Sequence, residues 1–302
     1  MKKARTDLIN DLMHLLKGSM KKNIRNTAVL LAFVAIGCSS TQPVAIVPPP
    51  PPPPATPLVD HAAQLSMQGA DAVLWQNTSA EAYRLFQQGY ELARLKLDAN
   101  LAKQKAVKST EPFAVVVDVD ETVLDNSPYQ VELVKKHTVY DQDSWKQWTD
   151  KANAKACPGA LEFLTYAKGA GCEVFYITNR DKREQASTLK NLNDLGFPNS
   201  DAKHLLLMEG TSDKTDRRAK VDSTHRIVLF VGDQLRDFDE GFKDRKLNYG
   251  KGIVDSKHDT LMQYFILLPN PMYGTYRDAV QGKGTDGEKH GRMQEWFDRN
   301  NY

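Results

Sequence analysis

Cysteine is scarce in this chain: 302 residues contain three, Cys38, Cys157 and Cys172. A disulfide-stapled miniprotein is excluded on that count. Long apolar runs are missing as well. The run Ala28–Gly37 (AVLLAFVAIG) has ten residues, and a membrane-crossing helix needs about 20, so a multispan membrane protein is excluded. With 18 glycines and 15 prolines, a collagenous chain is excluded too. The last absence is a strong charge of one sign, since 40 basic groups against 38 acidic ones leave +2. Even that excess is local. Seven of the basic groups but only two of the acidic ones fall in residues 1–37, so the remainder carries 33 basic against 36 acidic, a net −3. Nucleic-acid binding, which requires a basic face, loses its support. What is present is 41% hydrophobic and 26% charged residues, enough to bury a core in one large domain or two modest ones.

The first 60 residues read as an address and a spacer. Met20-Lys21-Lys22-Asn23-Ile24-Arg25-Asn26 is basic, Ala28–Gly37 is apolar, and Cys38-Ser39-Ser40 follows at once. That order is the order of a signal peptide. It resembles a bacterial lipoprotein signal, cut before a cysteine that then takes a lipid, although Ala35 stands where such signals usually carry leucine. The expectation is that residues 1–37 are upstream residues and signal peptide, with 1–19 arising from a start codon ahead of Met20. Residues 38–60 are then the lipidated Cys38 and a linker holding the protein at the outer membrane. Pro48–Pro54 is seven consecutive prolines, a polyproline II rod of about 22 Å at roughly 3.1 Å per residue. With Cys38 taken, Cys157 and Cys172 remain. A helix expected from about Gly159 to Lys168 separates them by about 15 Å, beyond disulfide reach, so both are expected as buried free thiols.

The folded body is expected over 61–302, with N-terminal helices in 61–107 and a core from about 108 to 275. Thr78-Ser79-Ala80-Glu81 fits a capping box, and Tyr83, Phe86, Tyr90, Ala93 and Leu97 recur at helical spacing. Three later runs have another design: Phe113–Val117 enters Asp118-Val119-Asp120, Glu173–Ile177 enters Thr178-Asn179-Arg180, and Ile227–Val231 enters Gly232-Asp233. Each is continuous, apolar and rich in β-branched and aromatic residues, as strands buried on both faces are. Helical patterns over Ala160–Ala167, Arg183–Leu195 and Thr215–Val221 lie between or beside them. Alternating strands and helices predict an α/β fold, a parallel sheet in three layers with a smaller helical layer beside the site.

In such sheets ligands sit beyond the carboxyl ends of the strands, where Asp118, Asp120, Thr178, Asn179 and Asp233 would collect. Asp118 and Asp120 leave an extended chain on the same face, and Asp237 lies four residues after Asp233. Four converging carboxylates repel one another and raise each other's pKa values. A hard divalent cation relieves this, and with carboxylates and carbonyls as donors Mg²⁺ is the natural choice. A metal in an acidic site favours an anionic substrate, phosphate above all, with threonine, asparagine and lysine donors for its oxygens.

Here the sequence resembles a known family. Asp118-Val-Asp-Glu-Thr122 matches the DxDxT motif of the haloacid dehalogenase superfamily, and Gly232-Asp233-Gln-Leu-Arg-Asp237 its GDxxxD motif; Thr178 and Lys214 suit the two between. The stretches Asp120–Tyr129, Pro158–Phe163, Phe175–Arg180 and Leu268–Gly274, with Leu74-Trp75 and Tyr83, resemble the bacterial class C acid phosphatases, many of them outer-membrane lipoproteins. The likeness runs from about Ala70 to Gly274. It implies a Mg²⁺-dependent phosphomonoesterase with an acidic optimum. Asp118 would be the nucleophile, forming an aspartyl-phosphate, and Asp120 the acid and base. The metal would be held by Asp118, Asp233 and the main-chain carbonyl of Asp120, with Asp237 and Thr122 in support. Thr178, Asn179 and Lys214 would bind the phosphoryl group, although Lys203 and Lys220 are rivals for the lysine. Leu124, Trp145 and Tyr273 would form an apolar cleft for a base or nicotinamide ring, favouring 5′-nucleotides or nicotinamide mononucleotide; the alternative is that Trp145, Trp148 and Phe163 are packing residues of a helical layer over the site, and for Trp145 and Tyr273 both readings stand equally. The expected partners are small phosphomonoesters and, through Cys38, the membrane, with oligomeric state open. The rival is a non-catalytic binding lipoprotein on the same fold, presenting Trp145 and Tyr273 to a planar ligand such as haem; keeping both Asp118 and Asp120 argues against it. Asp213-Lys-Thr-Asp216 mimics an ion-pump motif but has no spanning helices, and Lys289-His-Gly-Arg292 is expected in an exposed loop.

Overall fold

In a computed structural model of the chain, which describes residues 59–300, the three apolar runs are parallel neighbours in one sheet. The signal segment, Cys38 and the proline run lie outside the described residues. The strands are β1 (Phe113–Val117), β2 (Leu124–Asp125), β3 (Lys155–Ala156), β4 (Cys172–Asp181), β5 (Leu205–Met208), β6 (Arg226–Gly232) and β7 (Phe265–Leu267). Five form the main sheet in the order β5-β4-β1-β6-β7, every pair parallel. β2 and β3 make a small antiparallel ladder beside it. The sequence pattern does not announce β5 or β7. β5 reads Leu-Leu-Leu-Met, without a β-branched residue, and β7 has three residues directly after the helix His258–Tyr264.

Side chains of β1 alternate between two apolar layers, as a pleated strand requires. Val115 and Val117 pack with Tyr90, Leu97 and Leu164; Ala114 and Val116 pack with Ile177, Leu206 and Val221. Helices therefore cover both faces, giving the expected three layers. Burying each of these aliphatic side chains is worth about 1.5–3 kcal/mol, so a charge at Val116 or Val117 would break the sheet's centre.

The long helix Ala80–Ala106 begins one residue later than the capping pattern suggests. Ser79 Oγ accepts from the Ala82 N–H at 2.8 Å. Thr78 instead closes the preceding helix, Ala70–Thr78, donating its hydroxyl to the Leu74 carbonyl at 2.8 Å. Phe86, Tyr90, Ala93 and Leu97 face inward, but Tyr83 is 57% exposed because Ala82 takes the inward position in that turn. The helix Ala160–Gly169 starts from Gly159 at φ +85, where a Cβ would stand 3.2 Å from Tyr90; only glycine suits both conditions. Cys157 and Cys172, before and after that helix, are buried free thiols.

At the carboxyl end, Lys289–Arg292 is helical rather than loop. Thr285 and Glu288 form a capping box that starts the helix Asp286–Arg299. This helix packs on Thr275–Gln281 and on His61–Met67, so the two ends of the described chain meet. Among the described residues, no helix is long and apolar enough to cross a membrane.

Candidate active site

β1 lies between β4 and β6, so the sheet's strand order reverses there and a crevice opens beyond the strand ends. Asp118 is the first residue past β1, and its N–H continues the ladder to the Val231 carbonyl at 3.0 Å. The chain then turns sharply: Leu124 N–H returns to the Val119 carbonyl at 2.9 Å, with Glu121 at φ +54. Asp233 leaves β6 at the same level. Gly232 before it lets Asp237 fold back, since a Cβ there would lie 2.5 Å from Asp237 Oδ2. Asp237 Oδ2 accepts the Gln234 N–H at 3.0 Å.

The carboxylates of Asp118, Asp233 and Asp237 each bring an oxygen within 4.8 Å of the others. Burial pushes the Asp118 carboxyl well above the ordinary range, with Lys214 opposing and the charges of Asp237, Asp233 and Asp120 adding. Asp233 is pushed up to about 7 by burial and by Asp237, against hydrogen bonds from Asn270 (2.7 Å) and Gln234 (3.0 Å). Lys214 donates to Asp118 and, at 2.7 Å, to Asp237. Burial works against its charge, yet the two carboxylates prevail and its pKa is raised. One ammonium therefore faces three carboxylates. This buried group fits a divalent cation: its donors are hard oxygens and it is short of positive charge. Asp237, expected in a supporting position, stands inside the ligand group while also holding Lys214 and the Gln234 N–H.

Asp120 is held apart from that group. Its Oδ1 accepts from Arg180 Nε (2.9 Å), Arg180 Nη2 (2.8 Å) and Asn126 Nδ2 (2.8 Å). Its Oδ2 accepts the Thr178 hydroxyl at 3.3 Å. Arg180 is fully buried and also donates to Thr188 at 3.1 Å, so a guanidinium expensive to bury has carboxylate and hydroxyl partners. Arg180 and Asn126 carry no assigned role in the sequence pattern, and Trp148, expected only to pack, donates its indole N–H to Asn126 Oδ1 at 2.8 Å. The signal available was the polar ending Thr-Asn-Arg of β4.

Of the remaining expected residues, Lys214 alone of the three lysines enters the site; Lys203 pairs with Glu173 at 2.9 Å and Lys220 is exposed. Thr178 is buried beside Asp120. Asn179 is exposed at the mouth, its amide oxygen held by Arg217 at 2.9 Å. Thr122 is buried with no partner for its hydroxyl, and its carbonyl accepts the Tyr90 hydroxyl at 2.7 Å. A cleft of about 530 Å³ runs from Asp118 and Asp120 past Tyr140, Trp145, Met272 and Tyr273. Trp145 is mostly buried, edge-on to Tyr129 with centroids 5.1 Å apart, and presents only a margin to the cleft. Leu124 is corrected outright. It is fully buried in the main core and paired with Ala156, so β2 turns it away from the cleft. Phe163 lies in the main core and Trp148 packs against it, the packing role expected of both.

Comparison with known proteins agrees with this geometry. A family model described as HAD superfamily, subfamily IIIB (Acid phosphatase) matches residues 61–276. Acid phosphatase 1 of Solanum lycopersicum is 32% identical over 131 residues, which are 40% of this chain and 50% of that protein; the chain thus spans about half the length of this curated relative. The structure of the class C acid phosphatase from Bacillus anthracis is similar at TM-score 0.71 and 38% identity, over 78% of this chain and 98% of that one. A second structure of the Bacillus anthracis enzyme, with tungstate bound, is similar at the same score and identity over 77% and 97%.

Proposed function

This chain belongs to the acid phosphatases of HAD subfamily IIIB and, within them, to class C, and from that premise we propose that it is a Mg²⁺-dependent phosphomonoesterase acting through Asp118. The observation that carries the reading is the buried meeting of Asp118, Asp233, Asp237 and Lys214 at the strand ends, with Asp120 beside it. Asp118 is the nucleophile. Its carboxylate forms a bond to phosphorus as the ester P–O bond breaks, leaving an aspartyl-phosphate. Asp120 delivers a proton to the departing alkoxide, then takes one from the water that cleaves the aspartyl-phosphate and frees Asp118. Arg180 and Asn126 fix its Oδ1, and Oδ2, whose partner is the Thr178 hydroxyl at 3.3 Å, exchanges that proton once Thr178 turns to the phosphoryl group. Lys214, Thr178 and Asn179 donate to the phosphoryl oxygens, whose transfer is accelerated by placed charge. Asp118, Asp233 and the Asp120 carbonyl, with Asp237 within reach, would hold Mg²⁺, which would supply neutralising charge for the phosphoryl group. Tungstate, a tetrahedral oxyanion, is bound in one of the Bacillus anthracis structures, which supports oxyanion recognition here.

The aromatic wall of the cleft supports aromatic phosphomonoesters such as 5′-nucleotides or nicotinamide mononucleotide as substrates. If Trp145→Ala and Tyr273→Ala leave the KM for a 5′-nucleotide unchanged, that substrate class is wrong. Anchoring through a lipid on Cys38 at the outer membrane belongs to the same proposal, supported by the basic–apolar–cysteine order; mass spectrometry finding Cys38 without acyl chains overturns it. The reaction itself is tested by p-nitrophenyl phosphate hydrolysis in acidic buffer. EDTA should abolish turnover, and Asp118→Asn should lower kcat by about 10⁴-fold or more. EDTA-insensitive turnover or an active Asp118→Asn enzyme rejects the mechanism.

A further inference from the structure

Glu121 is a buried acid for which the reaction has no use. It is among the most deeply buried side chains of the molecule, and it sits at φ +54, a conformation that L residues rarely adopt. A strained backbone carrying a buried carboxylate persists only where the surroundings over-determine it. Here they do. Glu121 Oε1 accepts the Asn126 N–H at 2.9 Å, and Oε2 accepts the hydroxyl of Tyr273 from 152 residues away. Tyr273 is gripped at its other end as well. Gln234 Nε2 donates to the Tyr273 carbonyl at 3.4 Å and to Asp233 at 3.0 Å. A Cβ at Gly274, which sits at φ +136, would collide with that Gln234 amide. The ring therefore spans the site, its main chain tied to the end of β6 and its hydroxyl to the turn after β1.

We propose that Glu121 is a specificity-determining positioning residue: by holding the Tyr273 hydroxyl it fixes the ring as a rigid wall that selects planar aromatic leaving groups over flexible alkyl ones. The proposal rests on the aromatic substrate class inferred above. With its hydroxyl committed, Tyr273 offers a substrate only a π-face, which rewards stacking and gives nothing to an alkyl alcohol. A ring already ordered loses no rotamer freedom when the substrate arrives.

The test is the ratio of kcat/KM for phenyl phosphate to that for glycerol 2-phosphate in the full-length protein. Tyr273→Phe removes one oxygen and keeps the packing; it should lower the ratio about tenfold, as one lost aromatic contact would, through the KM for phenyl phosphate. Glu121→Leu should lower it equally, and the double variant no further, because both changes break one link. Glu121→Gln, whose amide oxygen can keep the Asn126 N–H while its NH2 donates to the Tyr273 hydroxyl oxygen, should restore most of the ratio. If Tyr273→Ala loses the preference while Tyr273→Phe stays within about twofold of the parent, the role of Glu121 is wrong and the aromatic cleft stands. If Tyr273→Ala leaves the ratio unchanged, the aromatic cleft itself is wrong. Should Glu121→Leu fail to fold, Tyr273→Phe decides alone.

Discussion

The two ends of the sheet carry the same kinds of side chain in opposite balance. At the carboxyl end, Asp118, Asp233 and Asp237 share one ammonium, Lys214, and burial with mutual repulsion holds the first two well above ordinary carboxylates. At the amino end, before and within the first residues of β4, β5 and β6, one lysine and two imidazoles gather around Glu173, and Asp201 takes the other ring nitrogen of His204 at 2.8 Å. Glu173 accepts from Lys203 at 2.9 Å and His204 at 2.7 Å, with His225 at 3.5 Å. Its pKa is pulled down to about 2 by Lys203 and His204. The Phe175 ring fills the space between the two imidazoles, 4.9 Å from each. At the amino end each carboxylate has its partner within the cluster. The carboxyl end is short of positive charge, and a deficit of that kind, buried at a strand switch point, is the mark of a site that works on charge.

Deleting one lysine at each end tests the contrast most severely. Lys214→Met should lower kcat for p-nitrophenyl phosphate by about 10³-fold, the upper range for losing one charged donor to the transition state. Lys203→Met removes the same group from Glu173 and should leave kcat within about twofold, as a surface pair would. Comparable losses from both, or a Lys214→Met enzyme within a few-fold of the parent, would erase the difference between the ends.

A subtler version reads stability against pH in metal-free protein. The Asp233 carboxyl is raised from 3.8 to about 7 in the folded chain, so the folded state binds the proton more tightly than the unfolded one. Its contribution to stability is fully present below the unfolded pKa and is lost as pH rises through about 7. Metal-free protein should therefore weaken by on the order of 3 kcal/mol between acidic and neutral pH. A divalent cation should flatten that slope, because a ligand of the folded state alone stabilises it. Urea melts in EDTA and in Mg²⁺ at several pH values measure both slopes. Parallel slopes would mean that the acidic group holds no metal.

The carboxyl end was legible in the sequence because each of its parts is local. A strand and the acid that ends it are neighbours in the chain, so Asp118, Asp120 and Asp233 could be read from short apolar runs and the polar residues that end them. Lys214 was harder, since no strand pattern leads into it, and burial alone separates it from Lys203 and Lys220. The cleft wall was least legible. Leu124 looked available until its pairing with Ala156 turned it inward, and Arg180 gained a role only when Asp120 and Asn126 arrived from 60 and 54 residues away. Tyr83 misled for the opposite reason, falling on the apolar period of a helix whose first turn is filled by Ala82. Periodicity reports which face can be buried, whereas long-range partners decide which face is.

Glu173→Gln gives the smallest effect and isolates the amino end. The folded pKa of about 2 lies below the ordinary glutamate value of 4.5, so the stabilising contribution of Glu173 is present above the unfolded pKa and is lost as pH falls toward 2. The carboxylate is partly exposed, and solvent screening leaves about 1 kcal/mol of the pairing. Glu173→Gln should thus cost about 1 kcal/mol in urea melts near neutral pH and less than half of that near pH 3. Its kcat should match the parent, because no group at that end touches the cleft. A cost that persists unchanged near pH 3 would mean that Glu173 acts by packing against Phe175 rather than by charge. A fall in kcat would mean that the two ends are coupled through β4, and that the amino end does more than hold the sheet together.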